Sequence, residues 1–141
     1  MVVLIGIPGA GKSTIRAEMF SSHAAVSLDM LENRTKNAED KLLMALCEKG
    51  VDIIIDGANV DKTKRRRYTR FARDYGYDAI ALFVDTSLDA ALARNEFRDR
   101  KVPEGAIRSY CKKLEVPEVS EGFSSVYTIW NSWDPREKTA A

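Results

Sequence analysis

Cysteine and histidine are scarce in this sequence, with two cysteines and one histidine among 141 residues. Cys47 and Cys111 lie far apart, each within a helical apolar pattern. They read as buried thiols, and neither a disulfide framework nor a metal site follows from their spacing. His23, just past the first expected helix, reads as a surface residue without a catalytic role. No apolar run approaches the roughly 18 residues of a membrane span, so no membrane partner is expected. A dominant charge is also missing: 22 basic and 21 acidic residues leave a formal net charge of +1. Any contact with nucleic acid must therefore come from a local patch. The guanine signature [NT]-K-x-D and a D-x-x-G at a strand end are absent, which speaks against a GTPase switch. Repeats and low-complexity segments are absent too. One compact domain over 1–141 is expected, with a loose tail from Asp134. Gly6 stands so close to the start that no signal or transit peptide is expected, which predicts a cytoplasmic location.

What is present begins at the first residue, MVVLIGIPGAGKST. Val2 to Ile5 reads as a buried strand, and Gly6 to Ser13 matches G-x-x-x-x-G-K-[ST] at every fixed position. Gly6 and Gly11 let the backbone curl so that successive N–H groups face an anion. The following helix aims its positive end at the same point. Lys12 reaches the outer phosphates and the Ser13 hydroxyl suits Mg²⁺. The candidate nucleotide-binding residues are thus Gly9, Ala10, Gly11, Lys12, Ser13 and Thr14, with ATP and Mg²⁺ as the implied cofactors.

Downstream, the pattern predicts a helix from Lys12 to about Phe20 with Ile15, Met19 and Phe20 inward, then a strand over Ala24 to Leu28. Asn37 caps an expected helix to Lys49 with Leu42, Leu43, Leu46 and Cys47 inward. A strand over Val51 to Asp56 follows, then a helix from Asp61 to Tyr75 with Tyr68, Phe71, Ala72 and Tyr75 inward. A strand over Tyr77 to Val84, a helix to about Arg98, a helix from Pro103 and a last strand over Val126 to Trp130 complete the alternation. Five strands alternating with helices predict an α/β fold, a mostly parallel sheet covered on both faces. Ligands in such sheets sit beyond the strand carboxyl ends, where Asp29, Asp56 and the glycine loop converge.

Asp29, leaving a strand expected beside the loop strand, is the candidate general base for an acceptor hydroxyl; it could equally cap a helix. Asp56 suits Mg²⁺, or the substrate side together with Asn59. Arg94 and Arg98, four apart on one expected helix and followed by Arg100 and Lys101, suit a short lid that brings cations to the transferring group. Lys62 to Arg73 is the densest basic run; it reads as a solvated helix surface or as a contact to nucleic-acid phosphates. Trp130 and Trp133 read as core or edge packing rather than stacking platforms.

These residues together resemble the polynucleotide 5′-hydroxyl kinases of phages and eukaryotes. The likeness runs through GxPGxGKST, Asp29, Ile55-Asp56-x-x-Asn59-x-Asp61, Arg94-Asn95-x-x-Arg98, Val102-Pro103 and Glu121-Gly122-Phe123. It implies a P-loop kinase fold, with Lys12 and Ser13 on ATP and Mg²⁺. It also implies Asp29 as the base on a 5′-OH and Arg98 as the transition-state arginine, with Arg94 beside the nucleotide. The family's Asn-Arg pair before the catalytic acid is Ser27-Leu28 here, and an arginine three residues after it is Glu32. Arg34 or the basic helix could compensate on the acceptor side. The expected function is γ-phosphoryl transfer to a nucleic-acid hydroxyl, with nucleic acid as substrate partner. Modified-base hydroxymethyl groups, nucleosides, nucleotides or other small metabolites are alternative acceptors. A nucleotide-operated binding protein is the alternative from another class.

Overall fold

A computed structural model describes residues 1–27, 31 and 35–137. Five strands form one sheet in the order β2-β3-β1-β4-β5, and every neighbouring pair is parallel. They are β1 (Val2–Ile5), β2 (Ala24–Val26), β3 (Ile53–Ile55), β4 (Ile80–Asp85) and β5 (Ser125–Trp130). The connecting helices are α1 (Lys12–Met19), α2 (Lys36–Lys49), α3 (Lys62–Tyr75), α4 (Leu88–Glu96) and α5 (Glu104–Lys113), with a 3₁₀ turn over Val119–Glu121. The expected α/β architecture is the observed one; β1 matches its apolar run, while β2, β3 and β4 are shorter than the runs that predicted them. Val51 is exposed and lies outside β3.

The central strands are buried on both faces, which is why they read as unbroken apolar runs. Val3, Ile5, Ile53, Ile55, Ala81 and Phe83 pack with Leu43 and Cys47 of α2 and Tyr68 and Ala72 of α3. Val2, Leu4, Ile54 and Leu82 meet Ile15 and Phe20 around α1. Ile7 and Val84 meet Ala91 of α4 and Ile107 of α5. Register fixes which loops are neighbours: β1 sits at the centre, β3 and β2 on one flank, β4 and β5 on the other.

Several local expectations shift. The N-cap of α2 is Thr35, whose side chain accepts from Ala38 N, so Asn37 lies inside the helix; both residue types can cap, and only the first was placed to do so. Met19, Trp130 and Trp133 are exposed rather than packed. Cys47 is buried and Cys111 only partly so. His23 is half-buried, edge-on to Phe20 at 5.1 Å. Asp134 and Arg136 close a turn with an ion pair. No described helix is long and apolar enough to cross a membrane.

Candidate active site

The glycine loop leaves the carboxyl end of the central strand, and its own backbone sets its shape. Gly9 and Gly11 have φ of 87° and 100°, a left-handed region where side chains are strained. A Cβ on Gly9 would lie 2.8 Å from the Ala91 carbonyl oxygen. The loop is therefore pressed against α4 at a spacing that only glycine permits. Gly6 N donates to Ala58 O at 2.9 Å, joining the loop to the turn after β3.

Lys12 folds back over this loop, and its Nζ donates to Gly6 O at 2.6 Å and Ile7 O at 3.1 Å. Desolvation pushes its pKa down to about 8; Asp56 opposes that shift and Arg98 adds to it. Ser13 and Thr14 stand exposed in the first turn of α1. The left-handed glycines, the inward lysine and the free hydroxyls suit a polyphosphate and its hydrated cation.

Arg94 is a brace of this loop. It is buried, donating from Nη1 to Gly9 O at 2.8 Å, from Nε to Trp133 O at 2.8 Å and from Nη2 to Asn131 O at 2.9 Å. Burial lowers its pKa. Helix α4 ends at Glu96, so Arg94 and Arg98 do not share a helical face, which corrects the paired-lid expectation. Arg98 is exposed in the following segment, near enough for its charge to act on Lys12. That segment is latched by Asn95, whose side chain donates to Val102 O and accepts from Val102 N.

Asn131 was missed in the sequence. Its Nδ2 donates to Ala10 O at 2.9 Å, so the chain beyond β5 clamps the glycine loop. A lone asparagine after a strand carries no signal of such a role.

On the other flank, Asp56 follows β3 and pairs with Arg16 of α1 at 3.0 Å. Asn59, with φ 48°, is the one non-glycine residue with positive φ among the described residues, and its Nδ2 donates to Leu4 O at 2.7 Å. Both line a cavity of about 400 Å³ with Ser27, Lys36, Lys64, Arg67 and Tyr110. Asp29 and Arg34 lie outside the described residues. The strand that precedes Asp29, β2, is not beside β1 as expected, since β3 lies between them.

The basic run of α3 is less solvated than expected. Arg65 is fully buried against Glu121. Arg67 contacts the buried Glu39, which also accepts from Tyr68 OH at 2.7 Å. Burial raises the Tyr68 pKa, with Arg67 opposing. Sequence periodicity could not reveal these pairs, because the partners come from α2 and the 3₁₀ turn.

Comparison with known proteins places this geometry. A family model described as an AAA domain, AAA_33, matches residues 1–117. The chain belongs to that family. It is 25% identical over 151 aligned residues to the bifunctional polynucleotide phosphatase/kinase of Schizosaccharomyces pombe, covering 94% of this chain and 36% of that protein. It is 28% identical to a putative bifunctional polynucleotide phosphatase/kinase of Acanthamoeba polyphaga mimivirus, covering 92% and 32%. This chain thus spans about a third of the length of these relatives. An unliganded sugar kinase from Janibacter sp. HTCC2649 superposes with a TM-score of 0.63 at 19% identity, covering 93% of this chain and 83% of its own. The P-loop kinase fold is shared with that structure.

Proposed function

We propose that this chain is an ATP- and Mg²⁺-dependent kinase that moves the γ-phosphoryl group to a hydroxyl of a nucleic acid, a 5′-OH end. The observation that carries the reading is the pairing of two sites across β1 and β3. A glycine loop with an inward lysine lies on one side. A cavity with Asp56, Glu39, Asn59 and three cations, of which Arg67 is paired to Glu39, lies on the other. The two are tied by the Gly6–Ala58 hydrogen bond. A phosphate donor and an anionic acceptor would each meet the charge they require there. The polynucleotide phosphatase/kinase relatives support the acceptor class.

In this reading the loop N–H groups and Lys12 hold the ATP phosphates, where Lys12 gains its full charge from its ligand. Arg94 keeps the loop in shape from behind, and Arg98 carries positive charge to the transferring group. Ser13 and Asp56 would hold Mg²⁺, which when bound supplies neutralisation of phosphate charge. Asp29 takes the proton of the acceptor hydroxyl as its oxygen bonds to the γ-phosphorus and the bond to the ADP oxygen breaks. Lys36, Lys64 and Arg67 face the acceptor's phosphates, in place of the cations lost at Leu28 and Glu32.

The test is transfer of label from γ-labelled ATP to a panel of acceptors. It holds 5′-OH DNA and RNA oligonucleotides, hydroxymethyl-base DNA, nucleosides, and nucleoside 3′- and 5′-monophosphates. Label on the 5′-OH ends is expected, abolished by Asp29→Asn with ATP affinity within about twofold of the parent. Label confined to modified bases or small acceptors would replace the substrate and keep the chemistry. Binding of ATP with no transfer would make the chain a nucleotide-operated binding protein.

A further inference from the structure

Beyond α5 the chain crosses the start of α3 as a strap, residues 115–122. Glu115 N donates to Val60 O at 2.8 Å, and its carboxylate accepts from Lys62 N at 3.3 Å. Glu118 pairs with Lys62 Nζ at 3.4 Å. Glu121 takes Arg65 Nε at 2.8 Å and Nη2 at 3.0 Å, while its backbone oxygen accepts from Thr69 Oγ1 at 3.1 Å. Acids at three-residue intervals thus meet Lys62 and Arg65, themselves three apart on α3.

The inner pair stands apart from the outer ones. The Arg65 and Glu121 side chains are 0% and 4% exposed. Taking two charges out of water at that depth is costly, and apolar replacements of similar volume are commonly no less stable. Stability alone therefore does not account for a guanidinium here. What a guanidinium adds is a planar fork with donors to spare. The spare donor, Arg65 Nη1, reaches Asn59 O at 2.9 Å. Asn59 is the residue held in the left-handed region, and it lines the acceptor cavity.

We infer that Arg65 and Glu121 are positioning residues for the acceptor cavity. Resting on the kinase reading above, the pair sets the turn over 57–60 through the Asn59 carbonyl without touching substrate. The strap is therefore a determinant of how the acceptor sits. The phosphate loop keeps independent anchors, namely Arg94 and Asn131.

The decisive variant is the uncharged double replacement Arg65→Met/Glu121→Leu, compared with Arg65→Lys and Glu121→Gln. Thermal midpoint, affinity for a fluorescent ATP analogue, and acceptor KM and kcat are measured together. The double variant is expected to fold with ATP affinity within about twofold of the parent and acceptor KM raised about tenfold, the scale of a lost hydrogen bond from a charged group. Arg65→Lys keeps the charge and loses the fork, so it should raise acceptor KM similarly. If the double variant does not fold, Glu121→Gln decides: a severalfold rise in acceptor KM with ATP affinity held supports the inference, and no rise overturns it. A folded double variant with unchanged acceptor KM would also overturn it, as would ATP affinity and acceptor KM worsening together.

If the parent protein phosphorylates none of the panel, the kinase reading has failed separately. Amide hydrogen exchange then reads the positioning alone. About tenfold faster exchange over 57–60, with residues 9–14 unchanged, supports it, and equal rates overturn it.

Discussion

The two sides of the cleft are built by different means. The phosphate side is a contiguous stretch shaped by its own backbone, with left-handed glycines, a lysine folded onto carbonyls 5 and 6 residues away and a helix start. The Arg94 and Asn131 side chains brace it through backbone carbonyls. The acceptor side is assembled from charged pairs distant in the chain. Arg16–Asp56, Arg67–Glu39 and Arg65–Glu121 come from five different segments. A site made of backbone geometry tolerates little change in its own residues. A site made of side-chain pairs can be re-specified pair by pair while the donor site stays as it is. That division allows one phosphate-binding half to serve kinases with different acceptors.

The division can be broken first at Gly9. Gly9→Ala would set a Cβ 2.8 Å from the Ala91 carbonyl at φ 87°, and should weaken ATP binding about a hundredfold, the scale of 1–3 kcal/mol of backbone strain. Gly76→Ala is the control: its φ is 75° but nothing lies within 4 Å, so it should cost about 1 kcal/mol of stability and leave ATP affinity unchanged. Isothermal calorimetry and denaturant unfolding read both. Equal ATP affinity in the two variants would mean that the loop is not held by its contact with α4.

Arg94→Lys sharpens the comparison from behind the loop. A lysine keeps the charge, yet its one nitrogen cannot span the carbonyls that three guanidinium nitrogens reach. Stability should fall by about 2 kcal/mol and ATP affinity about tenfold, with acceptor KM unaffected. A shift in acceptor KM of the same size would show that the two sides are not independent.

The smallest effect is one of pH. Lys12, lowered to about 8 by desolvation, must be charged to meet phosphate. ATP affinity should therefore fall about threefold between pH 7.5 and 8.5, with proton uptake on binding seen as a dependence of calorimetric heat on buffer. The sign for the free protein is opposite. Between about 8 and the ordinary 10.5 the unfolded chain holds more protons, so stability rises with pH through that window and the penalty of a desolvated ammonium is fully present below it. Unchanged affinity across pH 8 would remove Lys12 from the phosphate contact.

What could be read from the sequence follows the same division. The glycine loop, the buried runs of β1 and β3 and the cap of α3 at Asp61 depend on neighbours within a few positions, and the residues announce them. Arg65 did not. On helical spacing it stands three before Tyr68 and seven before Ala72, on the buried face, and only a carboxylate 56 residues later makes a charge tolerable there. Glu39 stands in the first turn of α2, where an acid suits the helix dipole, yet it is 2% exposed because Tyr68 and Arg67 reach it from α3. Arg94 looked like the twin of Arg98. The difference arises where α4 stops, at Glu96, and from carbonyls at Asn131 and Trp133 that no local pattern connects to it. Charged side chains with tertiary partners are what periodicity misjudges, since it scores them by polarity alone.

The clamp from Asn131 to Ala10 spans 121 positions, and this orders events during synthesis. The glycine loop leaves the ribosome 121 residues before its clamp. At about 5–20 residues per second, the nascent loop spends on the order of ten seconds with its glycines uncommitted. Tight nucleotide binding then waits until β5 has joined the sheet and the following turn has closed. A chain cut short before Asn131 would lack this clamp, and loading with nucleotide would mark the chains that carry it.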